Sequence, residues 1–226
     1  MSVCDLLSGS RRMGLAVVSA ALATSGVLAA QASAQAIGVT QACVINAGGG
    51  AGTMTVIGSG FVAGDSIDLE STPAGAFGTA IADPTGAFTT SIQAPILSTF
   101  KPAAQPFTLT ATDEDNGATA ATTFETANLA VATNPATAKP TRKVTYSFSG
   151  FRPGAEIYAH YLHRKKVQTT AKFGRAQGAC GLLKRKARFY PGRQRFQTYK
   201  VQFDDSRNYS PHSSPKFVAT LTLFRL

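Results

Sequence analysis

Few side chains in this sequence have a type and spacing that could do chemistry. The histidines are His160, His163 and His212. His160 and His163 are three apart, which on a strand points them to opposite faces, so they are poorly placed to share a metal ion and a structural or exposed role is expected. Cys180 could act as a thiol nucleophile, yet nothing around it forms a cysteine-enzyme signature. The run Asp113-Glu114-Asp115-Asn116-Gly117 begins like a calcium loop. An EF-hand needs a glutamate six positions after its glycine; here Gly117 comes one place early and Thr123 stands where that glutamate should be. A solvated hairpin turn explains the run as well. The glycine-rich stretch 46–52 lacks the Gly-Lys-Ser/Thr ending of a phosphate loop and precedes a strand-like run rather than a helix. No catalytic, cofactor-binding or metal-ligating residue is therefore assigned, and the chain reads as non-enzymatic.

Charge is the stronger signal. Residues 35–126 carry one basic residue, Lys101, against eight acids, a net of −7. Residues 127–226 carry nineteen Lys and Arg against Glu156, Asp204 and Asp205, a net of +16. The cations cluster as Arg164-Lys165-Lys166 in an expected hairpin turn, Lys184-Arg185-Lys186 with Arg188, and Arg193 with Arg195. On a strand over 182–189, alternation sends Lys184, Lys186 and Arg188 to one face. Arg185 would then point inward, which no core accepts unpaired, so a bulge is expected there. Tyr190, Phe196 and Tyr199 interleave with the charges. Arg164, Lys165, Lys166, Lys184, Lys186, Arg188, Arg193 and Arg195 are the candidate polyanion-binding residues, and anionic cell-wall polymer or another polyanion is the expected partner. Solubility alone would explain net charge, but it does not require opposite signs on adjacent segments.

These residues must be positioned by strands. Apolar residues alternate with polar ones at Val144, Tyr146 and Phe148, at Tyr199, Val201 and Phe203, and at Phe217, Ala219, Leu221 and Leu223. Period two with polar partners means half-buried antiparallel strands. Val39, Cys43 and Ile45 share a parity that suits one first strand. Asp83-Pro84-Thr85-Gly86 and Asn116-Gly117 are turn signals. The chain also repeats itself. Ser59-Gly60-Phe61 with Gly64 recurs 90 positions on as Ser149-Gly150-Phe151 with Gly154, and 107–113 matches 199–205 at an offset of 92. Self-similarity at this period fixes the organisation: an acidic domain over 35–126 and a basic one over 127–226, both all-β.

Residues 1–34 read as a signal peptide, with Arg11 and Arg12 before the apolar run 14–30 and Ala32-Ser33-Ala34 as a cleavage site. Ser10-Arg11-Arg12-Met13 resembles a twin-arginine signal, although Gly14 stands where an aromatic is usual. No second long apolar segment follows, so no membrane span is expected after cleavage and the mature chain is expected outside the cell, released or loosely surface-associated. Cys43 and Cys180 then remain, one per repeat. An oxidising compartment permits a bridge. End-to-end sandwiches would put the first strand's start far from the linker, so two buried free thiols are the favoured expectation.

The Gly-Phe-x-x-Gly turns (Gly60 to Gly64, Gly150 to Gly154), the stretch 83–88 and the strand Phe107 to Asp113 resemble the tandem immunoglobulin-like or fibronectin-type-III-like modules of bacterial secreted proteins. The resemblance implies two β-sandwiches that act as spacers or adhesive units. The second repeat departs from it in lacking an Asp-Pro-x-Gly turn and in carrying far more charge. A structural spacer without a specific ligand, or an accessory module of a polymer-acting enzyme system, is the alternative function.

Overall fold

In a computed structural model of the chain, the described residues are 34–73, 75–98, 101–193 and 196–223, with side chains given for all of these but 75–77. The expected signal peptide thus lies almost wholly outside the described residues, as does Arg195. The alternating stretches form fifteen strands, with no helix among the described residues.

The first repeat builds two facing sheets. One has β1 (Ala36–Val39), β3 (Thr53–Ser59) and β6 (Phe88–Gln93), in that order. The other runs β2 (Cys43–Asn46), β8 (Thr119–Asn128), β7 (Ala104–Asp113), β4 (Ser66–Thr72), β5 (Gly75–Ile81). The second repeat reproduces the arrangement. Its three-stranded sheet is β13 (Leu183–Arg188), β10 (Lys143–Ser149), β9 (Ala130–Asn134), and its four-stranded sheet is β12 (Lys166–Arg175), β11 (Glu156–His163), β14 (Thr198–Asp204), β15 (Lys216–Thr222). Each copy is a sandwich of immunoglobulin-like type. β2, which runs parallel along β8, is the one strand of the first without a counterpart in the second.

Register confirms the duplication. Asp68 pairs with Thr112 in the first copy, and their counterparts Tyr158 and Asp204 pair in the second, reproducing the offsets of 90 and 92. The repeated glycines are there for backbone reasons: Gly60 and Gly150 sit at φ of 82° and 79°, where a side chain would be strained. The turn facing each is also equivalent. Gly64 donates to Ala82 and Gly154 to Ala176, both at 2.9 Å. The turn 177–181 therefore stands where Asp83 to Gly86 stands in the first copy, although the two sequences share only the final glycine.

Two apolar clusters fill the sandwiches. The first is mostly aliphatic, with Val56, Ile67, Leu69 and Leu109 fully buried. The second is aromatic: Tyr146 and Phe148 meet Phe173 edge-on at 4.6 and 5.0 Å, and Phe203 closes the group. At about 1.5–3 kcal/mol for each large side chain fully buried, these clusters are the main stabilising term.

Three expectations need correction. Residues 39–45 are not one strand: the chain crosses from the three-stranded sheet at Val39 to the five-stranded sheet at Cys43. The expected boundary at 126/127 falls inside β8, which runs to Asn128 and leaves only Leu129 before β9. Cys43 and Cys180 form a disulfide, with Cα atoms 5.3 Å apart. The free-thiol expectation failed because it placed Cys43 at the remote start of a first strand. The crossing carries Cys43 onto β2 instead, opposite Glu125 and near the junction. Cys180 lies in the turn 177–181, whose carbonyl at Cys180 accepts the Gly150 amide at 2.9 Å. Further contacts join the copies there: the Ser149 hydroxyl donates to the Asn128 carbonyl and the Leu129 amide to the Asn46 carbonyl.

Candidate polyanion-binding face

The cationic row rests on β13. This strand pairs with β10 without a break, Lys184 opposite Ser147, Lys186 opposite Thr145 and Arg188 opposite Lys143. Directly opposed residues share a face, so Lys143 joins Lys184, Lys186 and Arg188. All four are exposed, and among the described residues none is ion-paired. Successive cations along the strand are about 6.5–7 Å apart.

The expected bulge at Arg185 is absent. Leu183 and Ala187 turn toward the core and are half-buried, whereas Arg185, of the same parity, is exposed. β13 is the edge of its sheet, and a long arginine stem can cross apolar surface and carry its guanidinium round the edge into water.

Strand directions locate the other cations. Arg164 and Lys165 form the two-residue turn between β11 and β12, both at positive φ (47° and 66°), the twist that suits a tight hairpin. Lys166 opens β12. This hairpin, residues 189–193 after β13, the end of β13 at Arg188 and the start of β10 at Lys143 all lie at one end of the sandwich, because each strand reverses the last. Lys139 and Arg142, in the segment before β10, belong to the same end. Lys184 lies nearer the other end of the row. Sequence reading missed Lys139, Arg142 and Lys143, since only the pairing of β10 with β13 brings them beside the row.

The three acids of the second repeat lie at the opposite end, nearest the first sandwich. Glu156 opens β11 and is met by Lys172 and by the Tyr158 hydroxyl at 2.8 Å, which hold its carboxyl below the usual range. Asp205 pairs with Arg152. Asp204 is fully buried in a polar cluster on the outer face of the four-stranded sheet, under the loop 205–215. There His160 Nε2 donates to the Ser206 carbonyl at 3.0 Å and approaches Asp204 Oδ1 at 3.3 Å, while Thr170 Oγ1 lies 3.1 Å from Nδ1. Gln202 donates to Asp204 at 2.6 Å and to the Ser210 carbonyl at 2.7 Å. Hydroxyl, imidazole and carboxylate in a row are the parts of a nucleophilic relay. Here the ring is 0 % exposed and two of its partners belong to the loop or the strand leading into it, so the cluster anchors the loop. The sequence signal was parity: His160 shares a sheet face with Gln202.

The calcium-like run is a hairpin turn. Asp113 is buried and accepts from the Asp115 amide at 3.2 Å and the Asn116 side chain at 2.8 Å. Burial alone would raise its pKa, but these hydrogen bonds outweigh it and the pKa is lowered. Among the described residues, no helix is long and apolar enough to cross a membrane.

No protein-family model matches the chain, and no curated protein matches it. Among solved structures, a crystal structure of bovine butyrophilin aligns over 84% of this chain and 99% of that one, at 6% identity and a TM-score of 0.32.

Proposed function

We propose that the chain is a secreted, non-enzymatic surface or adhesion protein whose second sandwich contacts an anionic polymer such as that of a cell wall. The observation that carries this reading is the face formed by Lys143, Lys184, Lys186 and Arg188, four exposed cations on a regular sheet with no carboxylate paired to them among the described residues. Arg164, Lys165, Lys166 and Arg193 extend it at one end, while the acids of the repeat lie at the other. Such a field draws a polyanion without needing a pocket, and it fits the adhesive role of the tandem bacterial modules that the sequence resembles. Binding to dextran sulfate, with neutral dextran as control, tests it. Exposed charges are screened over a Debye length of about 8 Å at physiological ionic strength, so affinity should fall steeply as salt is raised. Binding that ignores salt, or an equal response to neutral dextran, contradicts the proposal.

A second reading is a spacer whose charges let copies meet. Asp65, Asp83, Glu114 and Asp115 lie in the turns at the end of the first sandwich away from the junction, opposite in sign to the basic end of the second. Under that reading the chain self-associates in low salt and has no preference for dextran sulfate.

A further inference from the structure

We propose that Cys43, Glu125 and Cys180 are a redox-gated zinc site at the junction of the two sandwiches, holding a disulfide when oxidised and Zn²⁺ when reduced. The inference does not rest on the polyanion reading. Three elements bring the side chains together. Cys43 opens β2, Glu125 stands opposite it on β8, and Cys180 comes from the turn 177–181 of the second sandwich. Their ligand atoms all lie within 4.8 Å of one another. Backbone hydrogen bonds fix the three supports: the Glu125 amide donates to the Ala42 carbonyl and the Gly150 amide to the Cys180 carbonyl, both at 2.9 Å.

A disulfide alone gives no reason for a carboxylate beside it. Glu125 is half-buried, one of its oxygens lies 3.4 Å from Cys180 Sγ, and no cation is paired with it among the described residues. A metal ion held by both sulfurs would neutralise that charge. Two thiolates and a carboxylate suit Zn²⁺, which binds sulfur at about 2.3 Å and oxygen at about 2.0–2.2 Å and so sets tetrahedral sulfurs roughly 3.8 Å apart. That separation is within the span the three groups already occupy. Three protein ligands leave a fourth position for water, and an open groove of about 470 Å³ reaches Cys43 from solvent past Phe151 and Ala179. Reduction by a dithiol breaks the Sγ–Sγ bond, gives each sulfur one electron and one proton, and closes a disulfide in the reductant. Zn²⁺ then displaces both thiol protons to solvent. The junction is thus tied in either state, by a covalent bond or by the metal.

The test uses the full chain carrying Cys4→Ser, so that only the junction thiols remain. It is reduced with dithiothreitol, freed of reductant without oxygen, and titrated with Co²⁺ and then Zn²⁺. The reduced protein should take up one Co²⁺ with thiolate-to-cobalt charge-transfer and tetrahedral ligand-field absorption, and Zn²⁺ should abolish both; the unreduced protein should show neither. Glu125→Gln, which leaves both cysteines in place, should weaken the metal at least tenfold, whereas Glu70→Gln, an exposed carboxylate on β4, should not. Melting guards against unfolding on reduction: Zn²⁺ should raise the melting temperature of the reduced chain above its value in a chelator, and less so in Glu125→Gln. Absence of stoichiometric metal binding by the reduced chain overturns the proposal, as does cobalt absorption in the unreduced protein or an affinity indifferent to Glu125→Gln.

Discussion

His160 shows how much a single side chain can organise here. Its ring joins Thr170 on β12 to Asp204 on β14 and to the backbone of the loop over the sheet. Truncation would leave a cavity and strip a partner from Asp204, so His160→Ala should destabilise the protein by roughly 2–3 kcal/mol. Chemical denaturation measures this; a change under half that size would mean the loop holds without the imidazole. Two carboxylates give the fold an acid sensitivity. Asp83 is held below the usual carboxylate range by the Thr85 hydroxyl first and then by the Ala87 and Thr85 amides, and Glu156 by Lys172 first and then Tyr158. Acids stronger in the folded state than in the unfolded chain contribute stability that is fully present above the unfolded pKa, and it is lost as pH falls through the depressed folded values. Asp65, raised by burial and then by Asp113 and Asp115, acts in the opposite sense at the upper edge of that window. The melting temperature should fall below about pH 4, and Asp83→Asn should flatten part of that fall. An unchanged profile in the variant would place the acid sensitivity elsewhere.

At the scale of elements, turns specify the fold more tightly than strands do. A Cβ on Gly86 would lie 2.2 Å from the Phe61 carbonyl oxygen, and one on Gly181 would lie 1.6 Å from that of Phe151. Both glycines also have positive φ. Gly117 has positive φ as well, at 71°, but open space around it. Gly86→Ala and Gly181→Ala should therefore each cost well beyond the roughly 1 kcal/mol expected of Gly117→Ala, where only φ opposes the side chain. Equal losses at the three positions would show that the close approach to the Phe carbonyl is not what these turns require. Strand identity and the duplication were legible in the sequence because alternation and the Gly-Phe-x-x-Gly turn are local signals. The switch of sheets between Val39 and Cys43 was not, because nothing between them marks which neighbour each strand will find. The edge position of β13 was hidden for the same reason, and with it the outward route of Arg185 that made a bulge unnecessary. Lys143 entered the cationic row only once the β10 and β13 register was known.

At the largest scale described, residues 34–223, the two sandwiches are joined at a junction and carry opposite charge at the ends away from it. Cys43 and Cys180 close 137 residues of chain beside the junction. On the chain-entropy view a loop of that length contributes about 4–5 kcal/mol. Both cysteines should resist thiol reagents in denaturant until a reductant is added, and reduction should lower the denaturation midpoint. Reactive Cys43 or Cys180 thiols in the unreduced protein would contradict the bridge. The charge asymmetry was plain in the sequence, but its direction was not. Only the strand order sets the acids of the second repeat toward the first sandwich and most of its cation clusters at the free end.

Whether the cationic row is a site or merely part of a charged molecule can be decided by moving the same charge change from one end of the second sandwich to the other. Lys184, Lys186 and Arg188 reversed to Glu should be compared with Arg175, Arg207 and Lys216 reversed to Glu, which are exposed near the junction end. The two variants alter net charge equally, so bulk attraction is held constant. Affinity for dextran sulfate at physiological salt should drop at least tenfold more in the first variant than in the second. Equal losses would contradict a localised face and leave the basic repeat as a charged spacer.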